Sequence, residues 1–206
     1  MTKAVKLIKR VQKVKQGFAD IKRASDEVMK KETPSNALDL AKDLLQSPVY
    51  QARMLATFLL GKLAAQSPDA VKVMRVRVSR DPDWRVQEIL AQAFDQYCKD
   101  TGYEDAVPII REWLHDDNPS VRRSASEGLR IWTSRPYFRD HPEAAVKLLT
   151  SLRGDESEYV RRSVGSALRD IWRKHRTLVN AELKSWDIAD KKTAQTYQLA
   201  RKAGAK

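Results

Sequence analysis

The sequence predicts an all-α protein: a right-handed α-α superhelix, a solenoid of stacked helical pairs with a concave basic groove. Three observations predict it. The first is a recurring stretch. Residues Asp155–Trp172 (DESEYVRRSVGSALRDIW) share their plan with Asp117–Trp132 (DNPSVRRSASEGLRIW), with Asp81–Phe94 (DPDWRVQEILAQAF) and, more faintly, with Ser47–Ala56 (SPVYQARMLA). Aligning Ala52, Val86, Val121 and Val160 gives steps of 34, 35 and 39 residues, a period that signals stacked helical pairs. The second is that each copy opens on Asp, Pro, Asn or Ser, residues that start helices, and continues as an apolar stripe that a neighbour must cover. The third is composition: 42% apolar and 32% charged residues, with only 7 Gly and 8 Pro, mostly at segment ends.

Taken in order, residues 3–16 read as a basic helix. Val5, Ile8, Val11 and Val14 lie on one side, and Lys3, Lys6, Lys9, Arg10, Lys13 and Lys15 occupy much of the rest. Residues 18–32 form a second helix, broken by Thr33-Pro34-Ser35. Residues 35–46 carry Ala37, Leu38, Leu40, Ala41, Leu44 and Leu45 at core spacing. Residues 49–65 are apolar through Leu55, Phe58, Leu59, Leu60 and Leu63, which predicts an interior helix. In 69–79, Val76-Arg77-Val78 alternates like a strand, and the surrounding repeat decides for helix. Segments 83–99, 103–115, 118–133, 141–153, 157–175 and 178–186 continue the rhythm, with a loop at 134–140 and a terminal helix at 190–203. This predicts one domain over 1–206: basic capping helices to 32, helical-pair repeats over 33–186, and a C-terminal helix and basic tail over 187–206.

Composition excludes several classes. No apolar run is long enough for a membrane span. The first ten residues are too charged for a secretory signal. The lone Cys98 cannot form an internal disulfide and reads as a buried filler in a reducing, cytoplasmic setting. His115, His141 and His175 are dispersed, and no metal, phosphate-loop or dinucleotide motif occurs, so no metal and no cofactor are expected. The net charge of +12 points to a polyanionic partner, with nucleic acid ahead of an acidic membrane surface.

The repeats differ where they carry charge. Counting from the shared Val, Glu88, Arg123 and Arg162 lie two residues on, Glu127 six and Asp170 ten. These offsets are successive i, i+4 neighbours that drift by only about 40° per step around a helix. Helices packed about 8–10 Å apart would let Glu88, Glu127 and Asp170 converge with the arginines on one groove. One reading is a set of surface salt bridges, each contributing little. The other is a working site, because these acids sit in a basic protein, beside Arg122, Arg161 and Arg169. Acids repel phosphate, so such a groove suits a substrate that joins a polyanionic backbone to a local positive charge. An N3- or N7-alkylated purine in DNA has both. Its glycosidic bond is weak, and a carboxylate could stabilise the oxocarbenium-like sugar and position water. Trp84, one turn before Glu88, and Trp132 could contact sugar or base, or else pack between repeats. Trp113, Trp172 and Trp186 read as packing residues.

At these residues the sequence resembles the bacterial DNA alkylation repair glycosylases built from HEAT/ARM-like repeats, the AlkC/AlkD superfamily. The motifs are Val121-Arg-Arg-Ser-Ala-Ser-Glu127-Gly, Ser157-Glu-Tyr-Val-Arg-Arg-Ser-Val164 and Leu168-Arg-Asp170-Ile, and they look closest to the AlkC branch. The resemblance implies excision of N3- and N7-alkylpurines from duplex DNA without a cofactor, by a monomer that is cytoplasmic and nucleoid-associated when bound. By motif position, Glu127 and Asp170 match acidic positions of the AlkC-type groove. Glu88 takes the place of the AlkD-type catalytic carboxylate, there an Asp, and Arg123 that of the groove arginine. Two departures stand out. Ser166 stands where AlkD-type chains carry Trp, and Arg130–Pro136 departs from the AlkC-type stretch Pro-Arg-Leu-Pro-Trp. The alternatives are a DNA-binding relative without catalysis and a protein scaffold.

Overall fold

The computed structural model describes residues 2–201, so the expected basic tail beyond Arg201 lies outside the described residues. The backbone groups into two compact units, Met1–Asp100 and Thr101–Lys206. Every regular element among the described residues is helical, and none is long and apolar enough to cross a membrane.

The first unit holds α1 (Lys3–Val11), α2 (Ala19–Lys31), α3 (Pro34–Leu44), α4 (Tyr50–Leu63), α5 (Pro68–Val76) and α6 (Trp84–Thr101), with 3-10 turns after α4 and α5. The starts follow sequence chemistry. Thr33 and Ser67 accept the amides of Asn36 and Ala70 at 3.3 Å, each followed by a proline at the first helical position. As its apolar run predicts, α4 is buried along most of its length and packs on α3, α2 and α5. Gly61 lets α6 approach: a Cβ there would lie 2.7 Å from the Cα of Ala93.

The second unit holds α7 (Val107–Leu114), α8 (Pro119–Gly128), α9 (Pro136–Asp140), α10 (Pro142–Thr150), α11 (Glu158–Trp172), α12 (Arg176–Lys184) and α13 (Lys191–Arg201), with a 3-10 turn at Trp132–Ser134. Its centre is α11, which packs on α13, α8, α12 and α10 and buries Val160, Val164, Ala167, Leu168 and Ile171. Gly165 is the close-approach point, since a Cβ there would meet that of Leu199 at 2.5 Å.

Several expected boundaries shift by up to three residues, and four places change more. The first helix stops at Val11 rather than 16, because the buried Gln51 amide donates to the carbonyls of Gln12 and Val14 at 3.5 and 3.0 Å. The helix expected at 103 starts at Val107, after a turn that Gly102 opens at φ 93°. The helix expected to reach 133 stops at Gly128. The Trp132 indole donates to the Ser126 carbonyl at 3.0 Å, and Arg135 donates to that of Gly128 at 3.3 Å, so side chains satisfy the helix end. The loop expected at 134–140 contains α9.

The repeated motif is an interlock. Five residues before each aligned residue, Ser47, Asp81, Asp116 and Asp155 accept the amides of Val49, Asp83, Asn118 and Ser157 at 2.8–3.1 Å. One residue after it stands Arg53, Gln87, Arg122 or Arg161. Arg53 donates to the carbonyls of Ser47 and Pro48, and its guanidinium pairs with Asp81 at 2.6 Å. Arg122 does the same to Asp116, Asp117 and Asp155, the last at 2.7 Å. Gln87 donates to the Asp81 carbonyl, and Arg161 donates to Asp155, Glu156 and the Gln195 side chain. Each arginine thus ties the turn before its own helix to the next repeat, whereas Gln87 ties only the turn before its own helix.

Candidate functional site

In the first unit, the Asp81–Asp83 turn sets the start of α6. Asp83 accepts the amide of Arg85 at 2.9 Å and pairs with its guanidinium at 2.7–2.9 Å. The Arg85 hydrogen bond holds the Asp83 carboxyl below the usual carboxylate range, against partial burial. This turn leaves Trp84 67% exposed at the helix start, with Glu88 one turn on along the same face. The Arg85 guanidinium lies 3.5 Å from the centre of the Tyr50 ring and 5.9 Å from that of Trp84. Together with Phe18, Met54 and Lys15 these residues line an open, mainly apolar cleft of about 520 Å³ that also contains Glu88 and Gln92. Aromatic faces beside one carboxylate suit a flat, electron-poor or cationic group.

In the second unit, Glu127 and Asp170 come together through Arg130. Its Nη1 donates to Glu127 and its Nε to Asp170, both at 2.9 Å. Ser163 donates to the other Glu127 oxygen at 2.9 Å, and Ser126 donates to Ser163 at 2.9 Å. Arg173 stands 3.6 Å from the second Asp170 oxygen. Burial opposes the charge on Arg130, yet its hydrogen bonds to the two carboxylates raise its pKa above the ordinary value. Each carboxylate is therefore already matched by a cation.

The other expected contact residues divide. Arg122 and Arg161, expected to touch DNA, are instead spent on the interlock, where loop carbonyls and Asp155 or Gln195 use their donors. Trp132, expected near sugar or base, is 0% exposed and sits against Phe138, with ring centres 5.0 Å apart; it is a core residue. Arg123 is only 6% exposed and stacks on Tyr159 at 4.2 Å. Arg162 is exposed and pairs with Glu158 at 2.7 Å. Arg169 is partly buried, and its Nε has no hydrogen-bond partner among the described residues. Trp113 and Trp186 are buried, as expected of packing residues, and so is Cys98.

Tyr50, Phe18, Arg85 and Arg130 were not picked out by sequence reasoning. Tyr50 was findable: it stands two residues before Ala52, as Trp84 stands two before Val86. Arg130 lies in the stretch read only as a departure from the AlkC-type pattern.

This chain is similar to several known proteins. The structure of AlkD2 from Streptococcus mutans is 45% identical, with a TM-score of 0.94 over 97% of this chain and 96% of that one. The structure of smu.31 from Streptococcus mutans UA159 is 44% identical, with a TM-score of 0.91 over 97% and 98%. The Pseudomonas fluorescens alkylpurine DNA glycosylase AlkC, bound to DNA containing an abasic site analog, is 23% identical, with a TM-score of 0.51 over 95% of this chain and 62% of that one. The expected leaning toward AlkC is thereby corrected toward the AlkD side. Among curated proteins, YhaZ of Bacillus subtilis (strain 168) is 36% identical over 87 residues, which is 40% of this chain and spans 24% of that protein. A family model described as "DNA alkylation repair enzyme" matches residues 11–203, and the chain belongs to that family.

Proposed function

We propose that this protein is a DNA glycosylase that excises cationic N3- or N7-alkylpurines from duplex DNA, with Glu88 as the working carboxylate. The observation that carries the reading is the cleft that the exposed Trp84 ring and Phe18 line together with Glu88, beside a Tyr50 ring already stacked on Arg85. A cationic base or an oxocarbenium-like sugar gains from an aromatic face and from one nearby carboxylate. A neutral base gains little from the carboxylate. Glu88 stabilises the sugar as the glycosidic bond breaks and orients the attacking water. Trp84 presents its ring to the lesion nucleotide. The family match and the net charge of +12 support DNA as the partner.

Glu127 and Asp170 take a different part in this reading. Their shared Arg130 makes them a brace within the second unit, which fixes the α8 end against α11. That same observation favours a second reading, DNA binding without excision, in which no carboxylate acts on a sugar. Ser166, where AlkD-type chains carry Trp, points the same way.

Incubation with methylated duplex DNA, followed by chromatography of the released bases, separates the two readings. Free methylpurine, appearing with time and with enzyme concentration, is the expected result. Tight, salt-sensitive binding with no released base would establish the second reading instead.

A further inference from the structure

Resting on the reading that the Trp84 cleft meets DNA, we propose that the non-helical segment 12–18 is a phosphate-gripping wall of that cleft, with Lys15 as its backbone contact and Gln51 as its positioning residue.

The charge pattern comes first. The chain carries Lys3, Lys6, Lys9, Arg10, Lys13 and Lys15 before its first acidic residue, Asp20. Lys3 pairs with Glu32, and Arg10 grips Glu27 through two bonds of 2.6 and 2.8 Å. Lys6, Lys9, Lys13 and Lys15 have no ion-pair partner among the described residues. Unpaired cations this close repel one another, and a polyanion relieves that repulsion while releasing its own counterions.

Geometry then selects one of the four. Lys15, Gln16, Gly17 and Phe18 line the same cleft as Trp84, Arg85 and Glu88. The segment has no helix to hold it there. Val14 donates its amide to the Val11 carbonyl at 2.9 Å, and Gly17 turns the chain at φ 74°, a conformation that favours glycine. Phe18 then reaches Phe58, with ring centres 6.2 Å apart. Between these points the segment hangs on one buried side chain. Gln51, 8% exposed at the start of α4, donates its amide to the Val14 carbonyl at 3.0 Å and lies 3.5 Å from that of Gln12. A buried amide tied to backbone carbonyls fixes a path. It thereby sets where the next residue, Lys15, stands at the cleft. Gln51 itself does not line the cleft, so it acts only through the segment.

The test is fluorescence anisotropy with a labelled duplex oligonucleotide, once with a single N7-methylguanine and once unmodified, over a range of NaCl concentrations. Lys15→Ala weakens binding several-fold and lowers the log–log salt slope by about 1, the signature of one lost phosphate contact. Lys15→Arg keeps the slope. Gln51→Leu, which removes no charge, lowers the slope by a similar amount. In the Gln51→Leu background, adding Lys15→Ala changes little, because the two act through one contact. The proposal is overturned if Lys15→Ala leaves affinity and slope unchanged. It is also overturned if the two substitutions add in full, since Gln51 would then act through stability alone. Lys15 is exposed, so its variants fold even if Gln51→Leu does not. A wild-type protein that binds the duplex without excising a base leaves the inference standing. A wild-type protein without DNA affinity removes the functional reading and this inference together.

Discussion

Replacing Arg122 with Met separates a structural arginine from a DNA-contacting one. Arg122 was expected in the DNA interface, yet its side chain is only 14% exposed and pairs with Asp155, which is 5% exposed. Two further donations go to the carbonyls of Asp116 and Asp117. Arg122→Met strips all of these at once. It leaves the Asp155 carboxylate buried with the Ser157 amide at 2.8 Å as its remaining described partner. Breaking one side of such a buried pair costs about 3–5 kcal/mol, because the other charge is left uncompensated. In a protein of this size that corresponds to a fall in melting temperature of about 6–20 °C. Adding Asp155→Asn to Arg122→Met removes the stranded charge and recovers part of the loss. Urea titrations of wild type, Arg122→Met, Asp155→Asn and the double variant complete a double-mutant cycle. The same proteins, assayed for DNA binding well below their melting temperatures, keep the wild-type salt slope. A stability loss below about 1 kcal/mol, together with a slope reduced by about 1, would refute the interlock and restore Arg122 to the interface.

Further outcomes follow from other close contacts. Gly61→Ala and Gly165→Ala each gain helix propensity but drive a Cβ to 2.7 Å from Ala93 backbone or to 2.5 Å from the Leu199 Cβ. The net effect is destabilisation by about 1–3 kcal/mol, read by thermal melts, and both backbones would have to yield for a neutral result. Asp83 has a carboxyl pKa depressed by its bond to Arg85, so its stabilisation is complete above the unfolded value of about 3.9 and is lost as pH falls through the folded value. Asp83→Asn therefore lowers stability at pH 7, and the two stability curves converge as acid is added; parallel curves would contradict the assignment. Trp84→Ala weakens binding of methylated duplex more than of unmodified duplex, because the lost ring face attracts a cationic base. Equal loss on both probes would make Trp84 a general contact.

Much of the fold was legible because repeat chemistry is local. The apolar stripes and the Ser, Asp, Asn and Pro starts placed the interior helix α4 and a helix rather than a strand after Ser67, although α5 ends at Val76 and Val78–Arg80 is a separate 3-10 turn instead of the helix expected to 79. Boundaries slipped where a distant side chain took over the backbone. Gln51 ends α1 from 37 residues away in sequence, and Trp132 closes α8 by folding back on it. No local propensity contains those contacts. The site was read by offset along the helix, which paired Trp84 with Glu88 and brought Glu127 to Asp170. Offset alone could not tell a shared Arg that ties repeats from one that faces solvent. Nor could it see Arg130, which follows the end of α8 and turns two expected catalytic acids into an ion-paired brace.

The central claim is that Glu88 in its aromatic cleft breaks the glycosidic bond. The most direct measurement is the single-turnover rate of methylpurine release by Glu88→Gln, with duplex affinity measured alongside. The account predicts a rate lower by about two to three orders of magnitude at unchanged affinity, as expected when an electrostatic contact made in the transition state is lost. Wild-type release by Glu88→Gln would contradict it.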